Sequence, residues 1–372
     1  MRPRTSPGRR IGTVIGERMG KITNIARPTV PKTSVHLLTC IFLAVGSNAA
    51  LAQEPESSGP FDKVEWEHVL DAARKEGEVT IYTSNTPDVT AVLRSGFTKK
   101  YPDIQLFLTK APQPSLEAKI EAERQTNAPG ADLVTFAWDT WFEINVQQQA
   151  FIGPIGPSAS SGDWTGNKYL TANYVTTNFV ILGLGWNTSL VGRPLKSYAD
   201  FLRPELGNGK IGIIDLSSPV QTDFYTFLED NYGPEYLPKL ASQRPRIYPA
   251  APQLMQAVAA GEVSAGNWVT GAILDEKNMG APVAFAVPNP AFSAPTNTAI
   301  LMWAKHPNAA QVLMDYMMSR DGQEALAKGG ASPLKGIHSA VADPDQLRPV
   351  NPQRLTPEYM KQYSAKWNSL FR

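Results

Sequence analysis

From residue 62 to residue 149, short apolar runs alternate with longer amphipathic ones, and after residue 194 the alternation starts again. Asp62-Lys63-Val64-Glu65 reads as a capping box opening a helix with Trp66, Val69, Leu70 and Ala73 on one face, and Gly77 stands where a left-handed C-cap belongs. Val79 to Thr83 is a predicted strand, and Ser84-Asn85-Thr86-Pro87 is a turn into a helix carrying Val89, Val92, Leu93 and Phe97. Strands at Ile104 to Leu108 and Leu133 to Ala137, and helices at Ser115 to Arg124 and Thr140 to Gln149, continue the series. This spacing implies an α/β architecture of mainly parallel strands flanked by helices.

Phe151 to Thr171 reads as a surface stretch rich in Gly, Pro, Ser and Trp. Tyr174 to Asn187 is a long apolar segment suited to a crossover between lobes. From Pro194 a second set follows: helix Ser197 to Leu202, strand Ile211 to Ile214, helix Thr222 to Asn231, strand Arg246 to Tyr248, helix Gln253 to Ala260, strand Ser264 to Trp268 and helix Gly271 to Asn278. Val283 to Val287 runs back toward a strand at Ala299 to Met302, a Lys-His-Pro turn, and a helix with Val312, Leu313, Tyr316 and Met317 on one face. The chain goes out, across and back. We therefore expect one lobe made of residues 62–180 plus 289–336, a second formed by residues 181–288, a tail over residues 337–372 packing on a lobe surface, and a ligand cleft between the lobes.

Residues 1–52 carry eight basic residues against one acid, then an uncharged apolar run from Val35 to Leu51 ending in Ala50-Leu51-Ala52. That is the pattern of a secretory signal cleaved after Ala52, with 53–61 a flexible lead-in. A run of about 17 residues is at the lower edge of what spans a bilayer, and Thr39 is a poor neighbour for a lipidated Cys40. Met19, followed by a compact basic region, is a second candidate start. Without the leader, 27 basic residues face 33 acids, about −6, which leaves no basis for a nucleic-acid partner. Cys40 is the sole cysteine, so an exported chain starting at Gln53 has no disulfide, no thiol chemistry and no cysteine-ligated metal.

Catalytic signatures are missing as well. His36, His68, His306 and His338 are scattered, and there is no H-E-x-x-H, G-x-S-x-G, P-loop or calcium loop. Gly183-Leu184-Gly185 opens like a dinucleotide fingerprint but lacks the third glycine and the following helix. What remains are polar turns after strands, where helix N-termini present N–H groups to a ligand. The candidates are Ser84, Asn85 and Thr86 after the first strand; Gln113 and Ser115 after the second; Trp138 and Asp139 after the third; and Asp215, Ser217, Ser218 and Gln221 in the second lobe. Trp268 joins Trp138 as an indole that could stack on a solute, Thr270 joins the hydroxyls that could bind carboxylate or phosphonate oxygens, and Asn289 stands on the return segment. Ser, Thr, Asn and Asp also favour such positions simply as helix caps.

Several of these stretches also carry a likeness. Ala73-Arg74-Lys75-Glu76-Gly77-Glu78-Val79-Thr80-Ile81-Tyr82-Thr83-Ser84, then Phe97-Thr98-Lys99-Lys100-Tyr101-Pro102-Asp103-Ile104, resembles the opening of extracellular solute-binding proteins related to ferric-iron binders. Pro129-Gly130-Ala131-Asp132-Leu133-Val134, Tyr198-Ala199-Asp200-Phe201-Leu202, Gly209-Lys210-Ile211-Gly212, Val258-Ala259-Ala260-Gly261-Glu262 and Pro295 to Gln323 extend the match over residues 62 to about 337. The resemblance implies a two-lobe, type II periplasmic binding protein of an ABC importer. Such a receptor, expected to be a monomer without cofactors, closes on a small solute and delivers it to a membrane permease and its ATPase. The iron-binding members carry adjacent tyrosines, and this chain has no Tyr-Tyr pair, so we expect an organic, anionic solute and no iron. The alternatives are a ferric-iron or other metal-binding receptor of the same family, or a hydrolase or transferase on the same fold.

Overall fold

A computed structural model describes residues 62–372 apart from Ser217, and excludes the side chains of 268–272 and 275. The expected leader, its expected cleavage site and the expected lead-in lie outside the described residues. The first units are α1 (Lys63–Glu76), β1 (Glu78–Thr83), α2 (Pro87–Lys100), β2 (Gln105–Lys110), α3 (Gln113–Thr126), β3 (Leu133–Ala137), α4 (Thr140–Gln147) and β4 (Phe151–Ile152). Next come β5 (Val175–Asn187), β6 (Ile211–Ile214), α5 (Pro219–Tyr232), α6 (Tyr236–Ser242), β7 (Arg246–Tyr248), α7 (Ala251–Ala259), β8 (Ala265–Val269), α8 (Thr270–Asn278) and β9 (Val283–Ala286). The return is β10 (Ala291–Leu301), α9 (Pro307–Met318), α10 (Arg320–Leu326), β11 (Leu347–Pro349) and α11 (Pro357–Phe371).

Strand order is β2-β1-β3-β10-β5-β8-β6-β7. β1 pairs parallel with β2 and β3, and β6 pairs parallel with β7 and β8, as the alternation predicts. The exceptions are β5 and β10, which pair antiparallel with each other, while β10 also runs antiparallel to β3 and β5 to β8. The 174–187 segment is thus one unbroken strand. Its 13 residues span two cores: Val175 packs with Phe97, Leu133 and Met317, while Leu182 and Leu184 pack with Tyr198, Ile213 and Phe224. β10 does the same in reverse, placing Phe292 in the second of these clusters and Ile300 in the first. A strand can cross from core to core without a turn because its hydrogen bonds go to different partners along its length.

Local signals explain the joints. Asp62 caps α1, accepting from Val64 N at 2.8 Å and Glu65 N at 3.2 Å, and Gly77 ends that helix at φ 73°. Asp132, fully buried, accepts from Thr80 N at 2.8 Å and from Lys305 N and His306 N at 2.9 Å each. One carboxylate thereby ties the approach to β3 to β1 and to the turn after β10. Glu76 caps α9 from another helix, accepting from Ala309 N at 2.7 Å. Gly322 permits the tight α9–α10 junction, since a Cβ there would strike the Tyr316 carbonyl.

Four expectations need correction. α9 is buried all round from Ala309 to Met318, not on one face. Its polar residues hold the 153–158 segment: Gln311 Nε2 donates to Gly153 O at 2.8 Å, and Asp315 accepts from Ser158 N at 2.7 Å. The 151–171 stretch is accordingly a cover over that helix, with Trp164 buried and its Nε1 donating to Met318 O at 2.8 Å. Finally, residues 337–372 do more than lie on a surface. β11 pairs with β10, and α11 sinks Trp367, at 0 % exposure, against Tyr225 and Phe371. The spacing of Tyr363 and Trp367 on α11 brings both onto one buried face, a pattern hidden in the sequence by the prolines before it. The helix predicted at Ser197 to Leu202 is a 3-10 turn, Tyr198–Leu202, closed by a Ser197–Asp200 capping box.

Candidate functional site

β1, β2 and β3 run parallel, so their carboxyl ends share one edge of the sheet. Each feeds directly into a helix. At the end of β1, Ser84 N donates to Thr135 O at 3.3 Å and Asn85 N to Thr83 Oγ1 at 3.0 Å. Thr86 occupies the N-cap of α2 in an extended conformation, but its side chain makes no capping bond. Ser84 and Thr86 are exposed and Asn85 is half-buried. α3 starts in the same state, with Pro112, which has no capping group, at its N-cap. Two consecutive 14-residue helices therefore begin without a side-chain cap, although Pro87 and Pro114 bring no N–H to those first turns and Ser115 N is bonded to Pro112 O.

α4 and α5 differ. Asp139 caps α4, accepting from Phe142 N at 3.0 Å, and its other oxygen accepts from Gln113 Nε2 at 2.7 Å. Gln113 also donates to Ala137 O at 3.1 Å and accepts from Ala137 N at 3.0 Å, so it acts as an extra strand partner for the end of β3. Both side chains are held in this α3–α4 joint. One turn along α3, burial and then the neighbouring Asp139 push the Glu117 carboxyl up to about 7, and Glu117 Oε1 is buried without a partner. Ser115 is exposed, with its N–H donating to Pro112 O at 3.0 Å. Trp138 is half-buried, its ring 5.4 Å from those of both Phe142 and Tyr174.

In the second set of units, Asp215 Oδ1 accepts from Leu216 N at 2.8 Å and its Oδ2 pairs with Arg372. Ser218 caps α5, accepting from Gln221 N at 3.2 Å, while Gln221 is buried with Nε2 unpartnered. Ser217 and the side chains of Trp268 and Thr270 lie outside the described residues; the backbone of Trp268 belongs to β8 and that of Thr270 opens α8. Asn289 is exposed in the turn before β10.

The sequence reading passed over a polar seam across the crossing strands. Thr298 Oγ1 sits 2.9 Å from both Thr135 Oγ1 and Thr177 Oγ1, and Thr176 Oγ1 donates to Asn297 Oδ1 at 2.7 Å. All are at most 4 % exposed, so their hydroxyls must satisfy one another. The signal was present as Thr-Thr-Asn at 176–178 and Thr-Asn-Thr at 296–298, polar triplets inside otherwise apolar strands. Among the described residues, no group of three His, Cys, Asp or Glu could hold a metal ion. No helix among them is long and apolar enough to cross a membrane.

Comparison with known proteins agrees with this architecture. A Haemophilus influenzae protein named only as uncharacterized is 24 % identical over 320 residues, covering 76 % of this chain and 86 % of its own length. The substrate-binding protein of an ABC transporter from Agrobacterium tumefaciens superposes with a TM-score of 0.62 at 16 % identity, covering 81 % of this chain and 97 % of that one. Iron-bound HitA from Pseudomonas aeruginosa gives 0.57 at 17 % identity, covering 79 % and 99 %. The fold is therefore the two-lobe, type II periplasmic-binding-protein α/β architecture. The model of the bacterial extracellular solute-binding proteins matches residues 82–324, and the chain belongs to that family.

Proposed function

We propose that this protein is the exported receptor of an ABC importer. It captures a small organic anion between two lobes and hands it to a membrane permease and its ATPase, acting as a monomer without bond chemistry. The observation that carries the reading is the pair of strands, β5 and β10, running from one packed core into another beside two helices that start uncapped. Two crossing strands form a natural hinge, and lobe closure needs only a ligand that binds both walls better when they meet. Residues 62–180 with 289–336 would form one lobe and 181–288 the other. The first-turn N–H groups of Asp88 and Val89 in uncapped α2 suit carboxylate or phosphonate oxygens, with Trp138 and Tyr174 offering an aromatic face.

An anion reading also fits the donors available: hydroxyls and amides at Ser84, Asn85, Thr86 and Ser115, with no metal-ligating cluster near them among the described residues. The iron of HitA belongs to HitA, and adjacent tyrosines are missing here. The test is a thermal-shift screen of organic anions, amines, sugars and ferric iron, followed by small-angle scattering of the best hit. A ligand at 100 times its Kd stabilises by about 2.7 kcal/mol and should compact the particle. Stabilisation by iron or amines alone, or turnover of any solute, would overturn the proposal. N-terminal sequencing of the exported chain tests for Gln53 as the first residue.

A further inference from the structure

One concavity shares no lining residue with the candidate turns. It has a volume of about 530 Å³ between the 162–169 loop, the start of α10, residues 333–335 and the tail strand β11. That size suits a small molecule. Its walls carry four cations, Lys168, Arg320, Lys335 and Arg348, against two acids, Asp163 and Asp345.

The acids are already engaged. Both Asp163 carboxylate oxygens accept from one edge of the Arg320 guanidinium, Nε at 3.0 Å and Nη2 at 2.7 Å, and Asp345 pairs with Lys335 at 2.5 Å. Lys168 and Arg348 have no carboxylate partner among the ion pairs of the described residues: the Lys168 ammonium sits 5.0 Å from the Tyr169 ring centroid, and Arg348 Nη1 donates to Leu347 O at 3.1 Å. The concavity thus holds two uncompensated positive charges, on a chain whose residues 53–372 total about −6. Like charges gathered in a recess against the trend of the whole surface are unfavourable unless an anion neutralises them.

The frame around these charges is rigid. Tyr169 packs edge-on to buried Phe179 at 5.0 Å, and Leu334 and Leu347 are buried beneath it. The bidentate Asp163 holds the Arg320 guanidinium in one orientation.

We propose that this recess is a binding site for a phosphate group, contacted by Lys168 and Arg348, with Arg320 and Lys335 as its charged rim. Arg348 lies opposite Phe292 of β10, so a bound phosphate would join the 162–169 loop to the tail strand alongside one of the two crossing strands. The inference does not rest on the proposed solute site: the two involve different residues and fail separately.

The test is calorimetric titration of the purified protein with inorganic phosphate, then with glycerol 3-phosphate, alongside sedimentation with phosphatidylglycerol and with phosphatidylcholine vesicles. We expect saturable phosphate binding, weakened about tenfold or more in the K168A/R348A variant. Both side chains are exposed, so that variant should keep the thermal melting profile and the response to the main solute. Binding of the soluble esters identifies a free phosphate compound as the ligand; sedimentation with phosphatidylglycerol alone, competed by phosphate, identifies a lipid headgroup. Absence of saturable binding in every arm, or equal affinity in K168A/R348A, overturns the proposal.

Discussion

Glu117→Gln isolates one half-buried carboxyl at the joint of α3 and α4. The side chain ionises near 4.5 in an unfolded chain but holds its proton up to about 7 in the fold, first because it is buried and then because Asp139 is beside it. Below about pH 4.5 both states are protonated and the group adds no pH dependence. As pH rises from there, the unfolded chain releases the proton and the folded one keeps it, so stability declines until about 7 and then levels off. The gap between those values corresponds to about 3 kcal/mol. Since the carboxyl is half-exposed, solvent screens this to about 1–2 kcal/mol. Glutamine keeps the shape and a donor for Asp139 but carries no charge. Urea unfolding at about pH 4.5, 6, 7 and 8 should show the two proteins equal at the acid end and E117Q ahead by about 1–2 kcal/mol at pH 8. Parallel pH profiles, or a gap that widens toward acid, would refute the reading of Glu117 as a carboxyl that keeps its proton in the fold.

Other consequences can be measured with the same equipment. Trp367→Ala empties a fully buried indole site between Tyr225 and Phe371 and should cost about 3–5 kcal/mol in urea unfolding; a loss under about 1 kcal/mol would mean α11 is not part of the core. Thr298→Val removes the hydroxyl shared by Thr135 and Thr177, and should lower stability by about 1–3 kcal/mol although it fills the same space. Trp138→Ala, at a half-buried ring, should reduce solute affinity in calorimetry by about tenfold or more while the fold persists by circular dichroism; unchanged affinity would remove Trp138 from the site. Desolvation raises the Glu324 carboxyl, but the backbone N–H groups of His338 and Ser339 together with the His338 and Ser339 side chains outweigh it and hold the group down at about 2. Its contribution should be complete above about pH 4.5 and disappear toward pH 2, and E324Q should flatten that part of the acid-unfolding curve.

Much of the frame was readable before any coordinates. The cap at Asp62, the stop at Gly77, the limits of β3 and the parallel pairing of β1–β3 and β6–β8 follow from local rules acting over a few residues. The length of the apolar Tyr174–Asn187 segment also pointed to a crossover between lobes. It did not show that one strand would serve two cores. The candidate turns after β1, β2 and β3 do sit at one sheet edge, but which of their side chains are already occupied was not legible: Gln113 and Asp139 hold each other, Ser218 caps α5, and Asp215 is paired with the last residue of the chain.

The sequence by itself determined the alternating elements, their order and the family pattern, because capping, turns and hydrophobic spacing are short-range effects. Only the tertiary structure decided what each polar residue faces. It turned the residues of α9 into anchors for a covering loop, joined Thr135, Thr177 and Thr298 across more than 160 positions, and made α11 a core helix. Hydrogen bonds and charges act over a few ångströms in space, and partners brought together by folding leave no spacing in the chain by which to recognise them.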